Sequence, residues 1–251
     1  LGLELANPLV PSSSPLTGSL DSARRLEDAG AAAIVLPSLF EEDLLAEEAR
    51  IERFLEMQDI GHGEADSYRP LPATYQSREE SYLELLAYLK DALQIPVIAS
   101  LNGVSDSGWL DHARDLQDAG ADALELNVYY LAGDPQDTAE NVEQRYVDVA
   151  RSLCAEVQIP VAMKLSQQLT APIDLVRRLG QAGVRGVSLF NRFYQPDIDL
   201  ETLDVAPTLH LSDPTEALLR IRWAAMMFER TECNMAVTGG FHRWQDIMKA
   251  L

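Results

Sequence analysis

The run VAMKLS at 161–166 sets a lysine among apolar residues. A buried ammonium group loses its hydration, so a lysine there calls for an anion. As a strand, the run puts Lys164 and Ser166 on one face and Met163 and Leu165 on the other. ALELN at 123–127 alternates likewise, with Glu125 and Asn127 opposite Leu124 and Leu126. Further polar groups stand at or beyond the ends of apolar runs: Ser12 and Ser13, Asn102, Tyr130, Asn191 with Arg192, and Thr238-Gly239-Gly240. A bound anionic ligand would meet that need of Lys164. Alternatively, a lysine of lowered pKa forms Schiff bases with carbonyl substrates. The competing structural role for Lys164 is an ion pair with Glu125. The functional role is favoured, because ionisable groups at strand ends of barrels are usually site residues. The glycine pair is either a backbone cradle for a phosphate or a tight turn.

The elements that carry these residues repeat. LEDAGAAAIVLP (26–37), LQDAGADALELN (116–127) and LGQAGVRGVSLFN (179–191) each join a helical pattern to an apolar run through a glycine. Gly30, Gly120 and Gly183 suit a left-handed helix cap. QIPVIASLN (94–102) and QIPVAMKLS (158–166) each set a proline before a buried run. Strands are expected near 8–13, 32–38, 96–102, 123–130, 160–167, 186–193 and 233–240. Helices are expected at 19–29, 41–57, 79–93, 106–119, 138–156, 172–182, 213–230 and 243–251. This alternation predicts one α/β domain, a (β/α)8 TIM barrel whose eighth unit is missing from this chain, so the native chain is expected to continue past Leu251. A doubly wound open sheet is the alternative, but no GxGxxG follows the first strand. Barrel sites lie at the strand C-termini, so the two amides and Lys164 are expected to converge on one mouth. Stretches 58–78 and 194–212 are expected to be long loops, which serve as lids, as binding loops or as disordered segments.

Bulk properties narrow the partners. The 251 residues carry a formal charge of −20, which argues against nucleic acid and anionic membranes as partners. No apolar run reaches the roughly 18 residues of a membrane span. Two cysteines without metal-motif spacing point to a reduced, cytoplasmic protein. The four histidines show no paired spacing, and no metal is expected.

In order along the chain, NPLVPSSSPLT, PVIASLNG, ALELNVYY, VAMKLS, VSLFNR and AVTGG resemble the landmarks of the dihydroorotate dehydrogenase-like family. The resemblance implies a single barrel domain over 1–251 that binds flavin mononucleotide (FMN) at the strand C-termini. It implies that Ser12, Ser13 and Asn102 line the flavin and that Asn127 touches both flavin and substrate. Lys164 would lie by the flavin N1 edge, Asn191 would bind substrate, and Gly239 and Gly240 would form part of the phosphate cradle. A small-molecule substrate, an electron acceptor of unknown identity and a homodimer follow from the same resemblance. The family's catalytic Cys or Ser falls at Tyr130, whose ordinary pKa of about 10 means that it needs help to act as a base. The second asparagine of that motif falls at Ala132, and a lysine expected after strand two falls at Leu36. The flavin side is therefore better kept than the orotate side.

The expected function is hydride transfer from a small substrate, dihydroorotate or a related compound, to flavin, with Tyr130 and Lys164 as catalytic residues. The rivals are a Schiff-base lyase or aldolase using Lys164, and a catalytically impaired barrel serving as a subunit or regulator.

Overall fold

A computed structural model describes residues 1–59, 76–103, 109–128, 130–192, 196–206 and 210–251. Most of the expected loop at 58–78 lies outside these residues. The chain divides into two compact units. The N-terminal unit comprises Leu3–Glu125 with Glu156–Ile159, and the C-terminal unit comprises Leu126–Ala155 and Pro160–Leu251 with Leu1–Gly2.

The N-terminal unit runs through α1 (Leu20–Asp28), β1 (Ile34–Val35), β2 (Leu39–Phe40), α2 (Glu41–Asp59), α3 (Arg78–Ala92), β3 (Val97–Asn102) and α4 (Trp109–Asp118) into β4 (Ala123–Asn127). Strand β3 pairs in parallel with β1 (Ile34 with Val97) and with β2 (Leu39 with Leu101). Every residue of β3 and β4 is buried, the mark of strands covered on both faces.

The expected strand at 8–13 is not formed. Pro8 and Pro11 have no N–H, so this segment supplies mainly carbonyls: Leu9 accepts from Ala32 N and Pro11 from Val35 N. The turn at Pro15–Thr17 and the short β2 were not expected from the sequence.

The C-terminal unit contains α5 (Ala139–Glu156), β5 (Val161–Leu165), α6 (Pro172–Gln181), β6 (Gly186–Leu189), β7 (Asp197–Ile198), β8 (Val205–Ala206), α7 (Glu216–Met227), β9 (Asn234–Val237) and α8 (Trp244–Ala250). Within the stretch 194–212, β7 and β8 form an antiparallel hairpin. Strands β5, β6 and β9 pair in parallel, with Lys164 opposite Ser188 and Ser188 opposite Ala236. The sheet order is β1-β3-β4-β5-β6-β9, a mixed α/β arrangement.

The repeated phrase now has a physical account. Gly30, Gly120 and Gly183 have φ of +95°, +97° and +111°. The residue after each donates back across the cap: Ala31 to Leu26 O, Ala121 to Leu116 O, Val184 to Leu179 O. That pattern closes the helix and turns the chain toward the next strand. The second letter of the phrase has its own task. Glu27 Oε1 accepts from Gln94 N and Ile95 N at 2.7 and 3.1 Å. Gln117 Oε1 accepts from Gln158 N and Ile159 N at 2.6 and 3.3 Å. Each side chain thus ties its helix to the QIP turn that opens a later strand. In the third copy the position is Gly180, where a Cβ would lie 3.2 Å from Cys233 Sγ.

Candidate functional site

Two carboxamides singled out in the sequence meet. Asn191 Nδ2 donates to Asn127 Oδ1 at 2.9 Å, and both residues are buried. Asn127 closes β4, and Asn191 lies two residues past β6, held by its own N–H to Leu165 O at 2.7 Å. Strand β5 lies between β4 and β6 in the sheet, so the amide pair reaches across its C-terminal end. Lys164, one residue before that end, is half-buried and shares its face with the buried Ser188. The bond uses one lone pair of the Asn127 carbonyl and one Asn191 N–H.

Tyr130 follows β4 on the loop to α5. Its phenol lies 2.9 Å from each oxygen of Asp137, and the Arg145 guanidinium stands 4.2 Å from its ring centre. The bond to Asp137 pushes its pKa up, opposed by Arg145. The Tyr130 phenol is therefore held in its protonated form at neutral pH more firmly than an ordinary tyrosine. Asp137 escaped the sequence reading; its only signal was an acidic residue just before a helix, in GDPQDT.

The glycine pair is packed rather than open. Gly240 has φ +87°, and a Cβ there would lie 2.4 Å from Ala217 N at the start of α7. Gly239 lies against the Arg220 guanidinium, where a Cβ would be 3.3 Å from Nη2. Arg220 is buried and donates to Thr238 O (3.1 Å), Glu216 O (2.8 Å) and Glu216 Oε2 (3.2 Å). Desolvation lowers its pKa. This arginine fixes the Thr238-Gly239 turn against α7. Its signal was a charge at the spacing of the buried positions Ala217 and Met227. Arg192, next to Asn191, donates to the carbonyls of His210 and Leu211 and pairs with Glu216.

In the N-terminal unit, Ser13 Oγ lies 3.5 Å from Ser38 Oγ, and Ser38 Oγ lies 2.8 Å from Ser100 Oγ. Asn102 is buried on the same face of β3 as Ser100 and in register with Phe40. Ser12, next to Ser13 in the chain, is half-buried. Elsewhere in this unit His112 pairs with Glu79, and their ligand atoms and one of Asp115 lie within 4.8 Å of one another. No described helix is long and apolar enough to cross a membrane.

A protein of Aeropyrum pernix provisionally named dihydroorotate dehydrogenase A (fumarate) is 27% identical over 175 residues, covering 66% of this chain and 55% of that protein. The dihydroorotate dehydrogenase A (fumarate) of Limosilactobacillus reuteri is 27% identical over 168 residues, covering 64% and 54%. That of Lactobacillus delbrueckii subsp. bulgaricus is 24% identical over 164 residues, covering 62% and 53%. The chain resembles the dihydroorotate dehydrogenases. It spans about half the length of these curated relatives. No family model matches it. Among solved structures it is similar to YagE, an E. coli K12 prophage protein of the dihydrodipicolinic acid synthase family crystallised with pyruvate. That similarity has a TM-score of 0.51 at 14% identity, over 98% of this chain and 68% of YagE, and speaks to the fold alone.

Proposed function

We propose that the protein is an FMN-dependent oxidoreductase on a (β/α)8 barrel. It oxidises a CH–CH bond of a small substrate, dihydroorotate or a related compound. The observation that carries this reading is the buried Asn127–Asn191 pair at the end of β5, the strand that bears Lys164. The donor set fits a flavin: its pyrimidine edge alternates acceptors and donors, which carboxamides match in both senses. When bound, the flavin supplies a two-electron acceptor. Lys164 offsets the negative charge that reduction brings, Asn127 orients ring and substrate, Asn191 orients substrate, and Tyr130 receives a proton. Gly239 and Gly240, in the unit that holds the amide pair, are proposed as a further flavin contact through their backbone N–H groups.

Anaerobic mixing of the FMN-loaded full-length protein with L-dihydroorotate tests the substrate. Loss of the oxidised flavin spectrum supports it; an unchanged spectrum with dihydroorotate, alongside reduction by a related CH–CH donor, moves the assignment to that donor. The second reading is a Schiff-base lyase, favoured by one observation, the half-buried Lys164 inside an apolar strand. Borohydride with pyruvate as the carbonyl probe should leave Lys164 unmodified; a stable adduct on it would favour the lyase.

A further inference from the structure

The residue at the family's base position does not stand alone. The Tyr130 phenol has one proton, and both Asp137 oxygens lie 2.9 Å from it, so the carboxylate straddles the O–H. Asp137 is held just before α5, its N–H bonded to Asp134 O, while Asn141 N caps on Thr138 Oγ1. The charged groups around the phenol are Asp137 and Asp134 on its own loop and Arg145 on α5, whose guanidinium lies over the ring. An ionised carboxylate can only accept, so Tyr130 must be the donor, and its oxygen keeps lone pairs for another proton. The bond to Asp137 disfavours the free phenolate. A proton can therefore be taken up by this oxygen only as its own is given away.

We propose that Tyr130 and Asp137 act as one acid–base unit, Tyr130 Oη taking a proton from a substrate carbon while its own proton passes to Asp137. The proposal rests on the oxidoreductase reading above. The C–H bond of the acidic carbon breaks, its proton goes to Oη, and its electron pair becomes the new C=C bond. A bound flavin would supply the two-electron acceptor for the hydrogen of the neighbouring carbon. The substrate loses two electrons and two hydrogens, and the dyad ends as neutral Tyr130 beside protonated Asp137. Arg145 offsets the negative charge of the resting pair and so acts as a positioning residue.

Two readouts on FMN-loaded protein test this, with Asp137→Asn, which keeps an acceptor but cannot hold the proton, and Tyr130→Phe. Carbon-13 NMR of ring-labelled tyrosine needs no substrate: the resonance missing in Y130F should titrate above the ordinary tyrosine value of about 10 and fall back in D137N. Titration in the ordinary range, or no change in D137N, overturns the dyad. Flavin reduction by L-dihydroorotate should slow by about 100-fold in each variant, with the double variant no slower than either. A D137N rate equal to that of the unaltered protein also overturns it. If dihydroorotate fails to reduce the flavin in the unaltered protein, the substrate assignment fails, and the dyad stands or falls on the titration.

Discussion

Asn191 Nδ2 and Asn127 Oδ1 lie 2.9 Å apart although 64 positions separate the residues in the chain. Two buried amides, one closing β4 and one just past β6, bond to one another there and so fix each other's rotamers. Replacing either by Ala leaves its partner unpaired, at about 1–3 kcal/mol. The double variant should cost less than the sum, with a coupling of about 0.5–3 kcal/mol in urea denaturation. Strict additivity would show that the bond is not formed in solution.

Lys164 should matter to the ligand more than to the fold. Lys164→Ala should weaken FMN binding by about tenfold, or ~1.4 kcal/mol, measured by quenching of flavin fluorescence. Lys164→Arg should recover part of that loss. Equal affinities for the unaltered protein and the alanine variant would return the residue to a structural role.

The helix-to-strand ties should be measurable. Gln117→Ala removes the acceptor of the Gln158 and Ile159 N–H groups and should cost about 1–3 kcal/mol. Gln117→Glu, which copies Glu27 of the first repeat, should keep most of that stability. Chemical denaturation of the two variants separates them.

The cap glycines should not be equivalent. At Gly30 nothing lies within 4 Å of an added Cβ, so Gly30→Ala should cost only the left-handed backbone, about 1–2 kcal/mol. At Gly183 the Cβ would meet Cys154 Cβ at 2.8 Å, adding about 1–3 kcal/mol of overpacking. Denaturation midpoints should therefore fall further for Gly183→Ala.

Much of this arrangement was legible in the sequence, for identifiable reasons. The glycine caps and QIP turns are local devices, so their residues mark helix ends and strand starts directly. Asn127 and Asn191 were visible as polar residues closing apolar runs, but their mutual bond depends on strand order and was not. Asp137 and Arg220 were missed because each acts through a partner: a phenol across a turn, and a carbonyl 18 residues away. The strand expected at 8–13 does not form, because Pro8 and Pro11 remove two of the N–H groups that a strand ladder needs.

Alkaline pH should unfold the protein through its buried phenols. Burial pushes the Tyr146 pKa up to about 12 from an ordinary 10.0, and raises that of Tyr82 as well. The folded state thus holds these protons longer than the unfolded chain. Stability is fully present below pH 10.0 and is lost as pH rises toward 12. Tyr146→Phe should reduce the alkaline slope by about 1.4 kcal/mol per pH unit, the contribution of one proton. An unchanged slope would mean that Tyr146 is solvated in the folded state.

The most direct measurement is the visible absorption spectrum of the full-length protein after incubation with FMN and removal of free ligand by gel filtration. The account predicts a yellow protein carrying close to one flavin per chain, with the colour much reduced in Lys164→Ala. A colourless, folded protein from which all the flavin elutes separately would contradict it.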